Sequence, residues 1–164
     1  MPPPPHDPEN DLPLVLRSLV LPLVAGAIGS AATYPNLNWF DGLKQPAFSP
    51  PKAVFGPAWT TLYLLMGAAH YLVQKQEAQP AATRAAQILY GLQLGLNALW
   101  SILFFGRRAP GAALVEIGLL WVAIVLTIVA FARISRVAAL LLVPYLLWTT
   151  FAVVLNAAIW RLNP

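Results

Sequence analysis

Cysteine is absent from the 164 residues, which excludes disulfides, thiol nucleophiles and thiolate metal ligands, and leaves the redox compartment unread. Charge is scarce too. Only 10% of the residues are Asp, Glu, Lys or Arg, against roughly 25% in an average soluble domain. Histidine occurs twice, and the sequence shows no Ser/His/Asp set, metal cluster or phosphate-binding glycine loop, so hydrolysis, phosphoryl transfer and zinc chemistry are not expected. The net charge of +4 does not point to nucleic acid, because the ten basic residues are scattered singly or in pairs. What remains is 59% hydrophobic.

The few charges bracket long uncharged runs. Residues 53–74, 85–106 and 137–160 contain no Asp, Glu, Lys or Arg. A hydrocarbon core of ~30 Å needs ~20 helical residues at a rise of ~1.5 Å each, so each run is long enough to span. Residues 12–33 make a fourth span if Arg17 snorkels to the interface, and 109–132 a fifth, apolar apart from Glu116. The predicted fold is therefore an all-α membrane protein, a single domain over 12–164 with five transmembrane helices at about 12–33, 53–74, 85–106, 109–132 and 137–160. Residues 1–11, proline-rich and without a basic n-region, read as a disordered tail rather than a cleaved signal. Lys and Arg divide five against five between the two ends, which leaves the orientation undetermined.

The connection 34–52 is the long one. Pro35, Pro46, Pro50 and Pro51 oppose regular helix, while Tyr34, Trp39, Phe40 and Phe48 predict an ordered lid over the helix ends. Depth follows by counting residues from the lid-side charges. Trp59, Asn97, Trp100, Glu116 and Asn156 fall within ~15 Å of that boundary, and Trp148 lies near the midplane. His70 counts to the opposite end, where an interfacial histidine without a role is expected.

Helix three separates into faces at 100° per residue. Gln93, Asn97, Trp100 and Phe104 share one side, which should point into the bundle because lipid cannot satisfy amides. Gly91, Gly95, Ala98 and Ile102 share the other, a small face suited to close approach of a second copy or of a neighbouring helix. Trp148, Ala152, Leu155 and Asn156 align on helix five, and Trp59, Tyr63 and Met66 on helix two. Tryptophans, amides and one carboxylate at one depth beneath a lid describe a mostly apolar ligand pocket. Glu116, the one charge inside a span, reads equally as a functional acid or a capped carboxyl.

Several segments are more specific than any hydrophobic run: WFDGLKQPAFSPP at 39–51, FGPAWTTLYLLMG at 55–67, LNALWSILFFG at 96–106, and VPYLLWTTFAVVLN with WRLN at 143–156 and 160–163. Together they resemble the translocator family, the tryptophan-rich sensory proteins. The resemblance implies five helices, a homodimer, and a pocket below the first loop for porphyrins such as protoporphyrin IX or haem and for aromatic drug-like ligands, with no required cofactor. It implies pocket roles for Trp59, Trp148, Asn97 and Ala152, with Trp100 at a motif tryptophan and Phe40 where a loop tyrosine is usual. Tyr63 and Leu155 join them by helical spacing. Ala157 and Ala158 stand where the sterol motif has tyrosine, and Thr149 replaces a sterol-associated leucine, so cholesterol is not an expected ligand. A bacterial cell membrane suits the short tail. Three functions compete: porphyrin sensing, light-driven porphyrin breakdown with Trp59 and Trp148 as oxidised partners, and transport, which five helices without internal repeats favour less.

Overall fold

The computed structural model describes residues 11–76 and 79–164. The predicted tail therefore lies outside the described residues apart from Asp11. Every element among the described residues is helical. α1 (Leu12–Thr33) passes through a 3-10 turn at Tyr34–Asn36 into the short α2 (Leu37–Asp41). A second 3-10 turn, Lys52–Val54, leads into α3 (Phe55–Gln74), and α4 (Pro80–Ser101) ends in a π turn, Ile102–Gly106. Then come α5 (Pro110–Ala132), α6 (Arg136–Leu141) and α7 (Val143–Leu162).

Four of these stretches are long and apolar enough to cross a membrane: Leu12–Asp41, Pro80–Gly106, Pro110–Ala132 and Arg136–Leu162. α3, at 20 residues, is also long enough but carries Thr60, Thr61, Tyr63, His70, Tyr71 and Gln74, which lower its apolar content. The chain is thus a multi-pass integral membrane protein. Large apolar side chains stay exposed along its flanks, including Val115, Leu140, Leu147 and Ile88, because hydrocarbon surrounds them.

Three boundaries correct the sequence reading. Irregular backbone is confined to 42–51, since Pro35 sits at the start of a 3-10 turn, where a missing N–H costs nothing. α4 begins five residues earlier than expected, with Pro80 in its first turn and Arg84 exposed at the helix end. The last span breaks between α6 and α7, where Pro144 cannot donate to the carbonyl of Leu140 and the Leu142 N–H bonds Ala139 instead.

α4 packs on α5, α1 on α3 and α4, and α5 on α7, while α3 meets α6. Polar ties at both ends set the antiparallel order. At one end Lys75 Nζ donates to Asp11 Oδ2 at 2.9 Å and to the Tyr71 hydroxyl at 3.1 Å, bonds that hold the amine above the usual lysine range. At the other, the Lys44 N–H donates to Asn163 Oδ1 at 2.9 Å and the Arg108 guanidinium to Asn36 Oδ1 at 3.1 Å. Lid, α4 end and C-terminus therefore share one end.

Candidate functional site

That lid-side end encloses a cavity of about 630 Å³. α3 leans on α1 and α6 and α7 leans on α5, so the two helices splay at the lid end and the cavity lies between them. Trp59 and Tyr63 enter from α3, Trp100 from α4, and Trp148, Ala152 and Leu155 from α7, while Phe40 reaches in from α2. Seven of the eight side chains expected at a pocket are thus brought together.

Asn97 stands apart. It is buried, does not line the cavity, and spends its amide on two phenols: Oδ1 accepts from the Tyr63 hydroxyl at 3.0 Å and Nδ2 donates to the Tyr145 hydroxyl at 3.1 Å. Its effect on the cavity runs through Tyr63, whose ring stacks on Trp59 at 5.4 Å and 26°. Asn156 holds Trp100 in the same way, accepting its indole N–H at 3.0 Å and donating to the Pro110 carbonyl at 2.8 Å. The amides orient the aromatic walls.

The π turn explains what periodicity missed. The Arg107 N–H bonds the Ile102 carbonyl at 2.7 Å, a five-residue step that rotates the end of α4 away from a regular 100° spacing. Phe104 and Phe105 consequently both line the cavity. Phe104 stacks on Trp100 at 5.1 Å and meets Trp39 edge-on at 5.9 Å, and Phe105 meets Phe40 at 5.5 Å. At ~0.5–1.5 kcal/mol beyond area burial for each pair, these contacts pin the lid. Phe55, Phe151 and Lys52 were also missed as wall residues. The available signal was the place of Lys52 and Phe55 at the lid-side start of α3, and for Phe151 its position beside Ala152 within α7.

Trp148 is a thin wall. It lines the cavity on one side and, on the other, an exposed apolar groove between Pro57, Thr61, Pro144 and Leu147. An edge contact to Phe55 at 5.8 Å and a tilted one to Phe151 at 5.9 Å hold it.

Elsewhere two readings change. His70, expected as a lone histidine near the helix end, is buried in the bundle, stacked on Tyr90 at 4.5 Å and 12° with Gln74 Nε2 at 3.2 Å from its Nδ1. Ala98 is buried inside the monomer, so the outward part of the small face comprises Gly91, Gly95 and Ile102. Glu116 is buried without lining the cavity, and neither carboxylate oxygen has a hydrogen-bond partner among the described residues. No group of three His, Cys, Asp or Glu among the described residues could hold a metal.

Fold and site define a multi-pass helical membrane protein with a lidded, aromatic-walled cavity at one end. Residues 18–161 match the TspO/MBR family, and the chain belongs to it. It is 44% identical to the tryptophan-rich protein TspO of Archaeoglobus fulgidus over 94% of this chain and 99% of that one. The human translocator protein is 44% identical over 78% and 76%, and the tryptophan-rich sensory protein of Cereibacter sphaeroides 38% over 84% and 87%.

Proposed function

We propose that this protein is a membrane receptor or sensor for a flat, largely apolar ring of the porphyrin class, held between α1, α3, α4 and α7 with Trp59 and Trp148 as the main contacts. The observation that carries this reading is a cavity within the ~300–1,000 Å³ usual for ligand sites, walled by three tryptophans beneath an aromatic lid. Indole faces stack on such a ring. Among the described residues no Cys, His or Met lines the cavity, and of its two tyrosines Tyr63 gives its hydroxyl to Asn97 while Tyr34 is largely exposed, so free-base protoporphyrin IX is expected to bind at least as well as haem. We read α3 as the fifth span, and the outward stripe of α4 as a homodimer contact.

The test is porphyrin quenching of intrinsic fluorescence. Trp59→Phe and Trp148→Phe are each expected to weaken binding by ~0.5–1.5 kcal/mol, losing indole stacking while keeping most of the packing. Trp160→Phe, at the exposed end of α7, should change nothing. The opposite pattern would put the pocket in the wrong place.

A second reading is light-driven breakdown of the bound ring. Trp59, Tyr63 and Tyr145 form a chain of oxidisable rings, 5.4 Å and 6.3 Å from Trp59. Loss of the porphyrin absorbance band under light and oxygen, reduced more in Trp59→Phe than binding is, would support it. Translocation is a third use of such a pocket, distinguished by porphyrin arriving inside sealed proteoliposomes.

A further inference from the structure

Lys52 is the one charged residue, among the described residues, that lines the cavity. It opens the 3-10 turn before α3. Its Nζ is paired with Asp41 Oδ1, on the last residue of α2, so the pair ties together the two ends of the irregular stretch 42–51. Both side chains are about half exposed, at 58% and 43%.

We infer that Lys52 is the specificity-determining residue for acidic ligands, binding a carboxylate on the ring's edge at the cavity mouth, and that Asp41 is its resting partner, displaced or shared when that acid arrives. This rests on the porphyrin reading and deepens it. A ring with an apolar body and a carboxylate edge divides itself between two surroundings: the body against the tryptophans, the acid toward water and a cation. An exposed ion pair contributes little on its own, because solvent and salt screen it, so exchanging one carboxylate for another on Lys52 has a small cost. The ammonium has three donors and can meet a ligand carboxylate without leaving the mouth. A carboxylate carried on a ring already seated in the cavity is pre-positioned, whereas Asp41 is half exposed at the end of the five-residue α2.

The other cations of this end stand away from the cavity. Arg108 donates to Asn36 Oδ1, and neither Arg107, Arg108, Lys44 nor Arg161 lines the cavity. Lys44 therefore serves as a control.

The experiment compares protoporphyrin IX with its dimethyl ester, in nanodiscs of zwitterionic lipid at low salt, by fluorescence quenching. The readout is the ratio of ester to acid Kd in each variant against the parent, so differences in membrane partitioning cancel. Lys52→Met is expected to weaken the acid about tenfold, the scale of one hydrogen bond to a charged group, and to leave the ester unchanged. Lys52→Arg should restore most of the parent ratio. Asp41→Asn, which frees the ammonium, should tighten the acid severalfold, and Lys44→Met should leave the ratio alone. Equal loss of acid and ester in Lys52→Met, or an unchanged ratio in both Lys52→Met and Asp41→Asn, overturns the inference while leaving the pocket standing. If Lys52→Met does not fold, the Asp41→Asn ratio decides. Failure of the parent to bind either form overturns the porphyrin reading itself.

Discussion

Buried polar side chains fall into two sets. Asn97 and Asn156 are satisfied on both sides of their amides and hold the rings of Tyr63 and Trp100 in place. Gln93, Glu116 and the Thr149 hydroxyl have no hydrogen-bond partner among the described residues. Leaving a buried polar group unpaired costs about 1–3 kcal/mol, so the second set is tolerated by the packing around it rather than contributing to it. Glu116 is the clearest case for a test. Gln keeps its shape and removes the possibility of a buried charge, and the residue does not touch the cavity. Glu116→Gln is expected to shift the melting temperature by less than about 4 °C and porphyrin affinity by less than about tenfold. A larger affinity loss in a folded variant would put the carboxylate in the site. Glu116 was legible as the one charge in an uncharged run. The partners of Asn97 were not, because Tyr63 and Tyr145 lie 34 and 48 residues away and only the fold aligns them.

Among the helices, α4 shows how glycines divide by use. A Cβ on Gly26 would strike the Tyr63 ring at 2.5 Å, and one on Gly67 the Leu19 side chain at 2.5 Å, so those two permit close approach of α1 and α3. Gly91 and Gly95 meet nothing within 4 Å. They serve no approach inside the monomer, which favours a second copy as the body they admit. Gly91→Leu/Gly95→Leu is expected to lower the yield of crosslinked dimer in bilayers while porphyrin binding persists; an unchanged yield would place the contact on another face. Helix positions were legible in uncharged runs because a hydrocarbon solvent leaves few alternatives, and the inward face of α4 followed from its amides. The π turn was not legible: LFF at 103–105 looks like any apolar helix, and the five-residue step sits where α1 and α5 pack against it. The break at Leu142 had a visible cause in Pro144, yet uninterrupted apolar composition concealed it.

For the molecule as a whole, the open question is whether α3 crosses the bilayer. Composition alone qualifies four stretches, but the contacts at the two ends argue for five. Asp11, before α1, pairs with Lys75, after α3; Asn36, after α1, is bonded by Arg108, after α4; Lys44 of the lid is bonded to Asn163, after α7. These ties put the lid at one end of the bundle and the connection after α3 at the other. An α3 of 20 residues covers ~30 Å, the thickness of the hydrocarbon core, so its two ends have to lie at opposite surfaces if the bundle stands upright. The lack of native cysteine makes this directly measurable. Ser49→Cys marks the lid, at a partly exposed position, and Gln79→Cys the connection before α4, at an exposed one. In sealed vesicles of one orientation, a membrane-impermeant maleimide is expected to label one variant from outside and the other only after permeabilisation. Arg108→Cys should follow Ser49→Cys, and Arg133→Cys should follow Gln79→Cys. Labelling of Ser49→Cys and Gln79→Cys from the same side would leave α3 on one surface, reduce the protein to four spans, and remove one wall of the proposed pocket from the membrane.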